Sequence, residues 1–99
     1  MKKIFISQPM KGKTNEEIES ERKKIKEALD ERYGADYEII DSFFKDAPVE
    51  AKPLWFLGKS LELLSTADIA VFALGWNEAR GCIIEHECCI QYGIAILEM

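Results

Sequence analysis

Short apolar runs alternate along this sequence with longer segments in which apolar side chains recur at helical spacing. A short continuous apolar run is typical of a β-strand that is covered on both faces. Four such runs predict strands: Lys3–Ile6, Tyr37–Ile40, Asp68–Leu74 and Ile94–Leu97. The longer segments predict three helices, at residues 15–33, 53–65 and 81–92.

The first predicted helix has the clearest boundaries. Thr14 and Glu17 fit the capping-box pattern, in which each side chain satisfies the backbone N–H group of the other residue. Gly34 provides the expected left-handed stop. One face of this helix carries apolar side chains and the aliphatic stem of an arginine: Ile18, Arg22, Ile25, Leu29 and Tyr33.

The later elements carry similar signals. Pro53 is suited to the first position of the second helix, and Gly93 is expected to end the third. The apolar face of the second helix is expected to contain four leucines: Leu54, Leu57, Leu61 and Leu64. Between the second strand and that helix, residues 41–52 are expected to form an irregular loop that packs Phe43 and Phe44 against the core.

Strands that alternate with helices predict a parallel sheet with right-handed crossovers and helices on both faces. The expected fold class is a three-layer α/β domain of flavodoxin- or Rossmann-like type, with a four-stranded parallel sheet in the order 2-1-3-4. This order places a switch point between the first and third strands, where ligands of such sheets bind beyond the carboxyl ends. Two loops are expected to meet there, Ser7–Lys13 and Gly75–Gly81.

The length and composition narrow the class of protein. A chain of 99 residues fits a single domain that spans residues 1–99. Apolar residues make up 47% of the chain, which excludes disorder over most of its length. The net charge of −5 argues against a nucleic-acid polymer as partner. A single nucleotide remains compatible with this charge, because a few backbone N–H groups and one or two cations can bind it.

The sequence also bears on location and redox chemistry. No apolar run approaches the roughly 18 residues that a membrane span requires, and the run at residues 4–6 is too short for a secretory signal. We therefore expect a cytoplasmic protein without a membrane partner. The odd number of cysteines (Cys82, Cys88 and Cys89) argues against a disulfide framework.

The loop from Ser7 to Lys13 connects a strand end to a helix N-terminus. Unpaired N–H groups and the positive end of the helix dipole favour an anion there, and Lys11 and Lys13 could add positive charge. An ordinary turn with solvated lysines is an equally good interpretation, because the loop lacks the glycines of a phosphate-cradling motif. Both interpretations stay open from the sequence.

The second loop leads into the third helix, where Glu85 is the main candidate for chemistry. The helix dipole favours a carboxylate in the first turns, so we expect Glu85 to stay ionised. If Ile83, Ile84 and Cys88 point to the core, Glu85 faces the crevice at the switch point. It could then attack an electron-poor carbon or stabilise a cation. The alternative is that Glu85 and Glu87 are ordinary surface residues that favour a helix.

Neighbours of Glu85 have two interpretations each. Trp76 could form a flat apolar wall for a nucleobase, or it could be a lid or a subunit contact. Arg80 could bind a carboxylate or phosphate group, or it could form a surface salt bridge. Cys82 and His86 stand four residues apart on one helix face, but two ligands do not make a site, and we expect no metal.

Several segments resemble a known family. Residues 4–10, Ile-Phe-Ile-Ser-Gln-Pro-Met, resemble the strand and Ser-Gly-Pro-Met segment that begin a group of small bacterial and phage proteins. Four segments resemble the second half of the same proteins: residues 67–69, 75–77, 79–81 and 85–87. That group is described as a domain of unknown function in the nucleoside 2-deoxyribosyltransferase-like superfamily.

The resemblance implies roles for particular residues. In characterised members of the superfamily, a glutamate four residues after a loop glycine attacks the anomeric carbon of a deoxyribosyl group. Gly81 and Glu85 have this spacing, so the resemblance implies that Glu85 is the nucleophile. The transferases carry acids where this chain has Ser60 and Ala79. The resemblance further implies a sugar and phosphate pocket formed by the first loop, at Ser7, Gln8, Pro9 and Met10.

The leading hypothesis is an N-glycosyl-bond enzyme, a transferase or a hydrolase, that acts on a deoxynucleoside or its 5′-monophosphate. This chemistry needs no metal and no organic cofactor. The expected substrate-binding residues are Ser7, Gln8, Pro9, Met10, Trp76, Arg80 and Gly81. The substituted positions Ser60 and Ala79 instead favour a nucleotide-binding module without catalysis.

A third hypothesis is an oligomeric structural protein with a degenerate pocket. Aromatic residues in the middle of so small a chain favour a homodimer or a larger homo-oligomer; they are Phe43, Phe44, Trp55 and Phe56.

Overall fold

The computed structural model of this protein describes residues 1–99 and contains one four-stranded parallel sheet with three α-helices. The strands are β1 (Lys2–Ser7), β2 (Tyr37–Ile39), β3 (Ile69–Phe72) and β4 (Ala95–Glu98). The helices are α1 (Asn15–Tyr33), α2 (Pro53–Leu64) and α3 (Arg80–Tyr92), and one turn of 3-10 helix covers Trp76–Glu78. The seven predicted strands and helices are confirmed, and their ends differ by one or two residues.

The strand order is β2-β1-β3-β4, as predicted, so β1 and β3 lie side by side in the centre. Ser7 at the end of β1 is in register with Phe72 at the end of β3. The chain continues from β1 to one edge of the sheet and from β3 to the other edge. The switch point therefore lies between Ser7 and Phe72, at the carboxyl edge that carries both candidate loops.

Alternate residues of the two central strands point to opposite faces of the sheet. One core cluster joins these strands to α1 and consists of Ile4, Ile6, Val71, Ala73, Ile25 and Leu29. The cluster on the other face joins them to α2 and α3 and consists of Phe5, Ala70, Phe72, Leu64 and Cys89. The predicted three-layer arrangement is confirmed, with α1 alone on one face.

The ends of α1 and α3 are also as predicted. Thr14 Oγ1 accepts a hydrogen bond from the Glu17 backbone N–H at 3.1 Å, and the Glu17 carboxylate accepts one from the Thr14 backbone N–H at 3.1 Å. This is the capping box, and it closes the N-terminus of α1. α1 ends before Gly34, and α3 ends before Gly93.

One predicted side-chain direction is wrong: Leu54, in the first turn of α2, is 78% exposed. Burial of Ile83 and Ile84 was the condition under which Glu85 was expected to face the crevice, and these two residues are instead 44% and 40% exposed. The buried face of α3 consists of Cys82, Glu85 and Cys89.

Residues 41–52 contain no helix or strand, as predicted, but the loop does not join the core. Phe44 is half-buried and packs against Trp55 and Phe56, with ring centroids 5.9 and 6.5 Å away. Phe43 lies under the Arg22 guanidinium, which is 6.0 Å from the ring centroid. The two phenylalanines therefore cover α1 and α2 from outside.

No helix in this fold combines the length and the apolar character that a membrane crossing requires.

Candidate functional site

The centre of the candidate site is a hydrogen bond between the end of β1 and the second turn of α3. Ser7 Oγ donates to Glu85 Oε1 at 2.6 Å, and the two residues are 1% and 7% exposed. So short a distance is typical of a hydroxyl that donates to an ionised carboxylate. Glu85 therefore faces the switch point and is not a solvated surface residue.

The local sequence explains why these two side chains meet. Ser7 comes two residues after Phe5 in β1, so both point to the face that α2 and α3 cover. Glu85 comes three residues after Cys82 and four before Cys89, so the three share one side of α3. Glu85 thus reaches the crevice as a member of the buried face itself.

Burial dominates the electrostatics of Glu85. Removal from water raises the pKa of Glu85 above its ordinary value, and hydrogen bonds to the Ser7 and Ser60 hydroxyls offset this only in part. Burial therefore shifts the pKa of Glu85 in the direction opposite to that expected from the helix dipole. Glu85 lies beyond the first turn of α3, where the dipole effect has faded. No other carboxyl group contributes to the shift.

Two further side chains border this pair. Ser60 lies half-buried on α2, and its hydroxyl favours the ionised form of Glu85. Cys82 is 4% exposed and interacts with Ser7. Burial raises the pKa of the Cys82 thiol, so it stays protonated and is a poor nucleophile. The site thus contains one carboxyl, two hydroxyls and a thiol.

The loops that follow β1 and β3 are in direct contact, as predicted. The Ala73 backbone N–H donates to the Ser7 carbonyl at 2.9 Å. A Cβ atom placed on Gly75 would lie 3.8 Å from Cγ of Pro9. Gly75 has a φ of +90°, a left-handed conformation that favours glycine, and it turns the chain into the 3-10 segment. Met10 is half-buried in the first loop.

Gln8 is held by α1 and does not line the crevice freely. Its side chain is 5% exposed; Nε2 donates to the Ile18 carbonyl and Oε1 accepts from Arg22 Nε, both at 2.9 Å. Arg22 also donates to Ser42 Oγ at 2.8 Å. This network ties the chain after β1 and after β2 to α1. In the sequence, the only indication of this network was Arg22, a charged residue on the otherwise apolar face of α1.

The start of α1 is a poor anion site, which favours the interpretation of the first loop as an ordinary turn. The capping box already satisfies the Thr14 and Glu17 N–H groups, and Glu16 and Glu17 add negative charge to the first turn. Lys13 Nζ is 2.8 Å from a carboxylate oxygen of Glu21, so its charge is compensated.

The start of α3 is better suited to an anion than the start of α1. Ala79 offers no side-chain hydrogen bond as N-cap, and the first turn contains no acidic residue. The first N–H groups of a helix have no partner within it, which leaves those of Arg80 and Gly81 for water or a ligand. The exposed Arg80 side chain takes part in no ion pair, so the structure shows no surface salt bridge, which was one of the two interpretations open for this residue.

Trp76 packs against the opposite flank of α3, toward β4. Its indole stacks on the His86 imidazole, with ring centroids 3.9 Å apart and planes 8° apart, and Phe72 packs against it at 5.6 Å. His86 Nε2 is 3.1 Å from a carboxylate oxygen of Glu98. Because His86 covers one face of the indole, a nucleobase could stack only on the other face.

The structure does not assemble a metal site around Cys82 and His86. Cys82 lies beside Ser7, whereas His86 contacts Trp76 and Glu98. No group of three or more His, Cys, Asp or Glu side chains is arranged to hold a metal ion.

Two surface depressions lie away from this site. One of about 460 Å³ is lined by Lys26, Asp30 and Tyr37, between α1 and β2. Another of about 450 Å³ lies between α1 and β4. Neither depression is lined by Ser7 or Glu85. We therefore identify the candidate site by its chemical groups and by its position at the switch point, and not by a cavity.

No protein-family model, no curated protein and no solved structure matches this chain. The resemblance between short segments and the deoxyribosyltransferase-like group therefore stays a prediction. Fold and site geometry are the observations on which a functional proposal can rest.

Proposed function

We propose that this domain cleaves or transfers the N-glycosidic bond of a deoxynucleoside or its 5′-monophosphate, with Glu85 as the nucleophile. The observation that carries the proposal is the buried 2.6 Å hydrogen bond between Ser7 and Glu85 at the switch point. Glu85 belongs to no ion pair, so no cation neutralises its carboxylate. Such a carboxylate is suited to attack on an electron-poor carbon.

In the proposed reaction, a Glu85 carboxylate oxygen forms a bond to C1′ while the bond from C1′ to the base nitrogen breaks. The electrons of the broken bond leave with the base, which takes a proton from water, and the transition state resembles an oxocarbenium ion. Water or a second base then attacks C1′, loses its own proton to solvent and releases the Glu85 carboxylate. Ser7 orients the carboxylate throughout.

The surroundings suggest how a substrate would lie. The uncapped start of α3, with Arg80 and Gly81, suits a 5′-phosphate better than the closed start of α1. Pro9 and Met10 would border the sugar, and the free face of Trp76 would border the base. Gln8 acts by holding the first loop to α1.

One observation favours a second candidate, a nucleotide-binding module without catalysis. Glycosyl-transfer sites ordinarily use two carboxyl groups, whereas no second carboxyl group perturbs Glu85. Ser60 and Ala79 stand where the resembling transferases carry acids. A site with one carboxyl can bind a nucleotide without cleaving it.

The test is incubation with a panel of nucleosides and 5′-monophosphates, followed by chromatography of any liberated base. We expect base release by the native chain, none by Glu85→Ala, and unchanged release by the matched control Glu87→Ala, whose side chain is exposed. Nucleotide-dependent thermal shifts without free base would establish the binding module instead. Equal turnover by Glu85→Ala and the native chain would remove the mechanism.

A further inference from the structure

Arg22 is a half-buried cation without a carboxylate in contact with it. None of the ion pairs of this chain includes Arg22. The two acids that precede it on α1 are engaged elsewhere: Glu21 pairs with Lys13 at 2.8 Å. Glu19 pairs with Lys45. Removal of a charge from water costs free energy that an opposite charge ordinarily offsets, and this partner is missing at Arg22.

Asp41 is the one acid whose charge favours the Arg22 cation, but the two residues form no ion pair. Asp41 is exposed, and its carboxylate accepts a hydrogen bond from the Phe43 backbone N–H at 3.3 Å. Burial lowers the pKa of the Arg22 guanidinium, and the charge of Asp41 offsets this only in part. A further negative charge in contact with Arg22 would therefore be favourable.

Two buried neutral side chains hold the guanidinium at the carboxyl edge of the sheet. Arg22 Nε donates to Gln8 Oε1 at 2.9 Å, and Arg22 Nη2 donates to Ser42 Oγ at 2.8 Å. Ser42 Oγ in turn donates to the Ile6 carbonyl at 3.3 Å. Gln8 follows β1 and Ser42 follows β2, and these strands are neighbours. The guanidinium is therefore fixed beside the carboxyl ends of two adjacent strands.

The third guanidinium nitrogen, Nη1, is open to solvent. Neither hydrogen bond of the Arg22 side chain involves Nη1. The chain nevertheless contains no buried side-chain nitrogen that lacks a hydrogen-bond partner, so solvent reaches Nη1. Its two N–H groups are left for water or a ligand. A guanidinium that is already oriented loses less conformational freedom when it binds an oxyanion, and such charge-assisted hydrogen bonds are strong.

We propose that Arg22 binds an oxyanion, the phosphate or carboxylate group of a small molecule, beside the carboxyl ends of β1 and β2. Gln8 and Ser42 are positioning residues, because they accept from Nε and Nη2 and so orient Nη1. Arg22 lies on the α1 side of the sheet, whereas Glu85 lies on the α3 side. The anion site is therefore separate from the phosphate position proposed at the start of α3, and it does not depend on the function of Glu85.

The experiment is titration of the isotope-labelled native chain with inorganic phosphate, followed by NMR through the arginine Nε–H signals. Sodium chloride at the same ionic strength is the reference. The chain contains three arginines, so Arg32→Lys and Arg80→Lys assign the signals. We expect a saturable shift of the Arg22 signal and none of the signal of Arg32, which is exposed on the same helix. Acetate in place of phosphate distinguishes the two sources: a shift with both indicates any oxyanion, and a shift with phosphate alone indicates a phosphate group.

Arg22→Lys separates orientation from charge, because lysine keeps the positive charge but not the two hydrogen bonds that fix it. The phosphate Kd, measured from the Gln8 backbone amide signal, should rise at least about tenfold, and Arg32→Lys should leave it unchanged. Far-UV circular dichroism verifies that both variants fold.

An Arg22 signal that phosphate moves no more than chloride does overturns the proposal, as does an Arg22→Lys variant that binds phosphate as tightly as the native chain. A phosphate-dependent shift of the Arg80 signal alone would also overturn it, while supporting the substrate position proposed at the start of α3. The titration of the native chain needs no variant that destabilises the fold, so it tests the site even if Arg22→Lys unfolds.

Discussion

Ser7 and Glu85 are 78 positions apart in the sequence, yet their side chains meet in a 2.6 Å hydrogen bond inside the domain. The bond joins β1, one of the two central strands, to α3, the helix that follows the other central strand, β3. It links the stability of the fold to the protonation of the proposed nucleophile, because both partners are buried.

Replacing Ser7 with alanine should destabilise the domain. The variant leaves the buried Glu85 without its hydroxyl donor, and loss of such a partner costs about 1–3 kcal/mol. Urea unfolding at neutral pH measures the change. Ser20→Ala, at an exposed position of α1, should alter the free energy of unfolding much less. Equal effects of the two variants would show that the Ser7 hydrogen bond does not stabilise the fold.

The stability of the domain should depend on pH through Glu85. Its pKa in the folded state lies above the ordinary value of 4.5, chiefly because of burial. The folded state therefore binds this proton more tightly than the unfolded state does. The stabilisation from the protonated form is complete below about pH 4.5 and is lost as the pH rises through the raised pKa.

Comparison of the native chain with Glu85→Gln isolates this contribution. The free energy of unfolding of the native chain, relative to Glu85→Gln, should fall as the pH rises above 4.5, the ordinary glutamate value, and then level off. Glu87→Gln provides the matched control at an exposed position of the same helix. A difference between the native chain and Glu85→Gln that stays constant with pH would contradict the raised pKa.

The Arg22 side chain should not be replaceable by lysine. Arg22 donates through two different nitrogens, to Gln8 and to Ser42, and an ammonium group cannot reproduce that fork. Arg22→Lys should lower the free energy of unfolding by about 1–3 kcal/mol. Arg32→Lys keeps the same chemistry at an exposed site of α1 and should have little effect. If Arg22→Lys is as stable as Arg32→Lys, the network does not anchor the first loop.

The three free cysteines should react in a fixed order. Cys82 and Cys89 are 4% and 1% exposed, and burial raises the pKa of Cys89 to about 11. Cys88 is half-buried and more accessible. A thiol reagent should therefore modify Cys88 first in the native chain and all three cysteines after unfolding, as mass spectrometry of the products would show. Fast modification of native Cys82 would mean that the site opens readily.

Much of the fold follows from local features of the sequence. Thr14 and Glu17 define the start of α1 because a capping box involves only residues close in the chain. The strand order also follows, because alternating strands and helices restrict the sheet to a few topologies. The buried side of α3 could be stated from the sequence only as a condition, since its apolar residues do not all lie on one side. Glu85 was expected in the crevice if Ile83, Ile84 and Cys88 point to the core, whereas Cys82 and Cys89 share its buried side.

By itself the sequence determined the kind and order of the elements, the switch point and the identity of Glu85 as the candidate. Spacing, caps and helix stops act over a few residues, so they can be read along the chain. Only the tertiary structure decided that Glu85 meets Ser7, that Trp76 stacks on His86, and that burial raises the pKa of Glu85. These properties depend on which side of each helix faces the sheet and on how much water remains there, and packing of distant segments sets both.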